Sequence, residues 1–143
     1  MADQREDSVR IAHGIFSEFI RNEEGGKATA IGLFGRKIIF PYGGMIYLPN
    51  LGFHCHILNP NKYEMNGTVK LRLPDGSAPP EQPVHLPACD FEANNINMNY
   101  ANIFLQKPGR IIVTVEIKTL EGDLSDSFTL DVAMLPDPSQ PTA

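Results

Sequence analysis

The sequence predicts an all-β protein, an antiparallel two-sheet sandwich of immunoglobulin-like type with about eight strands, occupying residues 11–135 as a single domain. Three observations predict it. In most segments apolar residues alternate with polar ones at a period near two, as strands with one buried face require. The 12 Gly and 12 Pro gather with Asn and Asp between those segments, where turns need a positive or a preset φ. No stretch carries a sustained helical stripe, so the strands are not separated by the helices that a parallel sheet needs.

The first strand is expected from Ile11 to Asn22, closed by Glu23-Glu24-Gly25-Gly26, whose Gly pair supplies the positive φ of a tight hairpin. The return strand is Lys27 to Phe34, with small residues on one face. Lys37 to Phe40 is a short apolar run stopped by Pro41 and Gly43-Gly44, a brief strand or crossing loop, and Met45 to Pro49 repeats that grammar. Between Leu51 and Leu58, Phe53, Cys55 and Ile57 alternate strictly with His54, His56 and Leu58, and Asn59-Pro60-Asn61 ends the strand. Thr68 to Leu73 places Val69, Leu71 and Leu73 inward and Lys70 and Arg72 in water, before the turn Pro74-Asp75-Gly76-Ser77. The Pro-rich stretch from Ala78 to Pro83 leads to an edge strand at Val84-His85-Leu86. Asp90 to Asn99, polar and rich in Asn, is expected to be loop, with a strand entered at Ala101. Arg110 to Lys118 has the β-branched density of a central strand. Leu120 to Leu124 turns, and Asp126 to Met134 is the last strand, with Phe128, Leu130 and Val132 on one face.

A chain of 143 residues has the length of one domain, and 42 % hydrophobic residues are too many for a disordered one. Residues 1–10 are expected to be a flexible N-terminus and 136–143 a disordered Pro-rich tail. Twelve Lys plus Arg against 17 Asp plus Glu give a net charge of −5 without a basic cluster, which excludes the electrostatic footprint of a nucleic-acid binder. The N-terminus lacks an apolar signal region and no window is apolar enough to span a bilayer, so no membrane partner is expected and the default location is cytoplasmic. In that reducing setting Cys55 and Cys89, which have no CxxC spacing, are read as two buried, inert thiols.

The most pointed constellation is His54-Cys55-His56. Residues i and i+2 of a strand share a face about 7 Å apart, which can bring two imidazoles to one metal. Two ligands do not make a site, and a third would have to come from His13, His85, Asp90 or Glu64. The bland reading is that Cys55 packs in the core while the two His decorate an outer sheet surface. A cupin-type metal enzyme would want a Glu and then a Gly after the HxH, where Ile57-Leu58-Asn59-Pro60 stands. Ser17 and Ser77 lack a nucleophile elbow, Cys89-Asp90 lacks an identified base, and Gly32 to Lys37 lacks the spacing of a phosphate loop. No catalytic residue and no cofactor is therefore expected. Asn94, Asn95, Asn97, Asn99 and Asn102 around Tyr100 offer a polar row beside an aromatic ring. A small ligand or glycan would use Asn97, Asn99 and Tyr100, whereas the plainer reading is a loop. Phe34, Phe40, Tyr42, Met45 and Tyr47 are either core or an exposed interaction patch.

Phe16-Ser17-Glu18, then Glu23 to Lys27, then Ala30-Ile31-Gly32-Leu33-Phe34, and later Pro108-Gly109-Arg110 opening a long strand, resemble an uncharacterised family of small bacterial and phage β-sandwich proteins. The resemblance covers about Ile11 to Val132 and implies a fold without an activity. The functional expectation is a non-enzymatic interaction module of bacterial or phage origin, which binds a protein partner or self-associates through a sheet edge or face. The alternatives are a metal-binding protein or enzyme built on His54 and His56, and a small-ligand or glycan-binding domain.

Overall fold

A computed structural model describes residues 8–24, 27–43, 45–88 and 92–139. The described residues form nine strands: β1 (Arg10–Asn22), β2 (Ala28–Phe34), β3 (Lys37–Phe40), β4 (Ile46–Leu58), β5 (Met65–Arg72), β6 (Gln82–Leu86), β7 (Ala93–Leu105), β8 (Gly109–Thr119) and β9 (Gly122–Met134). They make two sheets, one ordered β2-β1-β4-β7 and the other β3-β9-β8-β5-β6. No helix among the described residues is long and apolar enough to cross a membrane.

The core lies between the sheets and follows the alternation in the sequence. Leu51, Phe53, Cys55 and Ile57 of β4 and Ile111, Val113, Val115 and Ile117 of β8 are fully buried. Phe16 meets Phe53, with ring centroids 5.3 Å apart, and Phe53 meets Phe128 at 5.5 Å, so an aromatic chain joins the two sheets. Gly14 of β1 is bare for a reason. A Cβ there would stand 2.8 Å from the Phe128 ring.

The structure corrects the expected layout in four places. The Asn-rich segment expected as loop is strand from Ala93 onward and belongs to the 13-residue β7. Ile96, Met98 and Tyr100 turn to the core and alternate with Asn95, Asn97 and Asn99 on the outer face, so the Asn that suggest a loop are one face of a strand. The segments expected separately at 45–49 and 51–58 are one strand, β4. β9 begins at Gly122, because Leu120 and Glu121 suffice for the turn. The sandwich is not wholly antiparallel, since β3 runs parallel to β9. Only Gly35 and Arg36 separate β2 from β3, and there the chain crosses from the first sheet to the second.

Two distortions shape the first sheet. Between the pairs Leu48↔Ile103 and Asn50↔Ala101, opposite Pro49, Asn102 adopts φ 55°. There β4 and β7 together exchange the side they turn to the core without slipping register: Leu48 and Ile103 are buried before it, Leu51 and Ile96 after it. In β1, the register to β4 shifts between Ile11 and His13, which makes Ala12 the extra residue of a bulge. β1 also changes partner along its length. Its first half pairs with β4, its second half pairs with β2, and Phe16 and Ser17 alone ladder with both.

Candidate functional site

Since Phe53, Cys55 and Ile57 point into the core, His54 and His56 point outward from the first sheet. The cross-strand register sets their neighbours. On one side His56 pairs with His13 and His54 with Ile15; on the other His56 pairs with Asn95 and His54 with Asn97. The His13 ring lies 5.2 Å from that of His56 and 5.9 Å from that of His54, centroid to centroid. Of the third partners expected from the sequence, His13 is the one brought alongside. His85 sits on β6 of the other sheet, bonded to Asn66 Oδ1 at 2.8 Å and 3.4 Å from Glu64 Oε1. Asp90 and Cys89 lie outside the described residues.

The Asn partners determine where the imidazole protons sit. Asn97 donates its Nδ2 to Asn22 Oδ1 at 2.8 Å, which leaves its Oδ1 facing His54 Nδ1 at 2.6 Å. An amide oxygen only accepts, so His54 Nδ1 carries the hydrogen and the lone pair of the neutral ring is on Nε2. Asn95 Oδ1 holds His56 Nδ1 in the same way at 2.7 Å. Partial burial holds His13 below the ordinary imidazole pKa, and the neighbouring His56 and His54 rings lower it further by opposing another positive charge. The result is an outward-facing polar patch with three imidazoles, two of them in a fixed tautomer. Among the described residues, no three or more His, Cys, Asp or Glu side chains are already gathered in a metal-holding arrangement.

The rest of the Asn row is occupied by the fold itself. Asn99 Oδ1 accepts from the Ile20 amide at 2.9 Å and its Nδ2 donates to the Ile20 carbonyl at 2.8 Å, so one side chain does the work of a neighbouring strand. Asn50 Nδ2 donates to the Glu18 carbonyl. These amides hold the second half of β1 across the outer face of β4 at Gly52, where a Cβ would stand 2.9 Å from Ile20 N. Asn94 accepts from the buried Asn59 at 3.1 Å. Tyr100 points the opposite way from Asn97 and Asn99, packs against the core, and buries a hydroxyl without a hydrogen-bond partner among the described residues; burial pushes its pKa up to about 12. Asn97, Asn99 and Tyr100 thus do not line one ligand site.

The expected aromatic patch also divides. Phe34 and Phe40 pack against the core, Tyr42 and Met45 are exposed, and Tyr47 stacks on Phe104 at 4.5 Å while donating to Asn102 Oδ1 at 2.6 Å. Elsewhere, an open groove of about 440 Å³ runs between β1, β2 and β9, with Phe16, Phe34 and Phe128 in its walls and Arg36 at its rim.

No family model and no curated protein sequence matches this chain. Among solved structures, a β-glucosidase from Listeria innocua is similar over 88 % of this chain at 13 % identity with a TM-score of 0.39. The chain spans 16 % of that protein's length.

Proposed function

We propose that this chain is a non-enzymatic interaction module, an immunoglobulin-like sandwich that self-associates through the edge of β7. The observation that carries the reading is the chemistry of that edge. β7 is 13 residues long, ANNINMNYANIFL, without a charge or a proline, and from Ile96 to Leu105 no strand among the described residues pairs with it on the side away from β4. Soluble proteins normally blunt such an edge, because its open N–H and C=O groups template another strand.

The three other outermost strands are blunted. β6 contains Pro83, β3 has four residues, and β2 is broken by Gly32 at φ 65°. The part of β9 beyond β3 sets Asp126 opposite the buried Val115, on the core-facing side of the strand. Two copies of β7 related by a two-fold axis would pair antiparallel with no like charges opposed, in a chain whose net charge of −5 repels a second copy elsewhere. The Asn side chains of β7 are already ordered by His54, His56 and Ile20, which reduces the entropy lost on docking.

Light scattering on the purified chain tests this. The expected mass is that of two chains, and Ala101→Lys, which adds a charge at an exposed β7 position, is expected to return it to one. A wild-type chain that stays monomeric at high concentration, or a dimer that Ala101→Lys leaves equally strong, overturns the proposal. A monomer that takes up a strand from another protein would give the edge a different occupant and overturn self-association.

A further inference from the structure

We propose that the groove between β1, β2 and β9 receives the C-terminal segment of a partner protein, added as an extended strand parallel to β9 with its terminal carboxylate at Arg36. This inference is independent of the β7 edge. The groove, of about 440 Å³, lies where both sheets stop short. β2 pairs with β1 only from Phe16 onward, and β3 pairs with β9 only from Asp131 onward. Residues 10–15 of β1 and 122–130 of β9 therefore have no strand partner on that side among the described residues.

Of these two open edges β9 is the regular one. It ladders to β8 without a break, whereas β1 carries the bulge at Ala12. The Asp131 N–H donates to the Arg36 carbonyl at 2.9 Å, on the side away from β8. By the two-residue period of a strand, Ser127 and Thr129 turn their N–H and C=O groups to that same side. The Ser127 amide is capped by the Asp126 carboxylate at 2.8 Å, while Thr129, in the groove wall, has no strand partner there among the described residues.

The line of β3 fixes the direction and the end of the occupant. Lys37 pairs with Asp131 in parallel, so a strand in the same line beneath it sets one residue beside Phe128 and another, two positions earlier, beside Asp126. Gly35 and Arg36 cross between the sheets at that point and close the end of the groove. A strand parallel to β9 stops at the crossing, with its carboxylate at the Thr129 N–H and the Arg36 guanidinium, groups of the kind that capture a chain terminus. An antiparallel strand starting there would instead set an ammonium against Arg36. Arg36 is in no ion pair among the described residues, so its charge is available. The last side chain enters between Phe16, Phe34 and Phe128 and is apolar; the one two positions earlier meets Asp126 and is basic. Asp126, which blunts this edge against a second copy, thus selects the strand that it admits.

The test incubates the labelled full chain with a resin library of hexapeptides attached through their N-termini, with free C-terminal carboxylates, and with the same library amidated. The expected result is enrichment, in the acid library alone, of an apolar last residue with Lys or Arg two positions before it. With the consensus peptide titrated calorimetrically, amidation and Arg36→Ala should each weaken binding about tenfold or more. Asp126→Ala should abolish the preference for Lys over Glu at the basic position. Ala101→Lys on β7 should leave binding unchanged. Arg36→Ala keeps the carbonyl that bonds Asp131, circular dichroism checks its fold, and the amidated peptide tests the same contact on the unaltered chain. Absence of enrichment, equal enrichment of the amidated library, or affinity undiminished in Arg36→Ala overturns the proposal. So does a Lys preference that survives Asp126→Ala, binding lost in Ala101→Lys, or a groove filled by a second copy, seen as an oligomer that Arg36→Ala dissolves.

Discussion

Replacing Asn99 by Ala removes the amide that bonds both backbone groups of Ile20. Ile20 is 1 % exposed, and its N–H and C=O reach Asn99 at 2.9 and 2.8 Å. Truncation leaves a donor and an acceptor without that partner, each costing about 1–3 kcal/mol if water cannot reach it. Part of the cost is recovered where the second half of β1 lifts and admits water, so the expected loss is about 2–4 kcal/mol. That is a large share of the roughly 5–15 kcal/mol that holds a domain folded. For a chain of this length each kcal/mol moves Tm by about 3 °C, so Asn99→Ala should melt about 6–12 °C below the parent. Urea unfolding with an unchanged m-value would report the same loss. Asn99→Asp separates the two bonds, because a carboxylate still accepts from the Ile20 amide but repels its carbonyl, and it should be destabilised near neutral pH. An Asn99→Ala protein melting within about 1 °C of the parent would show that the amide clamp does not hold β1 in place.

Two further outcomes follow from buried groups. Tyr100→Phe removes a buried hydroxyl that has no hydrogen-bond partner and should leave stability unchanged or raise it by about 1 kcal/mol, read from the urea midpoint; a loss of that size would mean that the hydroxyl is satisfied in solution. Burial, with a smaller contribution from the Asp126 carboxylate, pushes the Cys55 thiol up to about 12. In the native protein Cys55 should therefore resist iodoacetamide at mildly alkaline pH, by peptide mass spectrometry, and react once unfolded. Because the unfolded thiol ionises first, this group also lowers stability as pH rises from the ordinary thiol range toward about 12; rapid native labelling would refute both.

The legible parts of the fold were those in which one face is apolar and the other is not. β8 reads directly from Ile111, Val113, Val115 and Ile117, and the outward aim of His54 and His56 follows from Cys55 between them. The first half of β7 was misread because its Asn residues suggest turns, although Ile96, Met98 and Tyr100 alternate there with Asn95, Asn97 and Asn99, whose side chains find their partners on other strands, far away in sequence. A usable signal was present. Asn95 and Asn97 repeat the two-residue spacing of His54 and His56, as partners across an antiparallel pair must. His13 was named only as one of several third partners, since the bulge that brings it opposite His56 depends on pairing that local sequence does not encode. The parallel run of β3 beside β9 was hidden for the same reason.

The change of partner within β1 makes the β1–β2 hairpin an appendage more than a wall. Past Phe16 and Ser17 it shares no ladder with β4, and after Ile20 none of its described residues through Phe34 belongs to the fully buried core. Lengthening the chain between Asn22 and Ala28 would cost little beyond closing a longer loop, which grows only slowly with the number of residues added. The connection between β1 and β2 is therefore the natural position to graft an epitope, a reporter peptide or a second binding loop, anchored at its base by the Asn50, Asn97 and Asn99 amides.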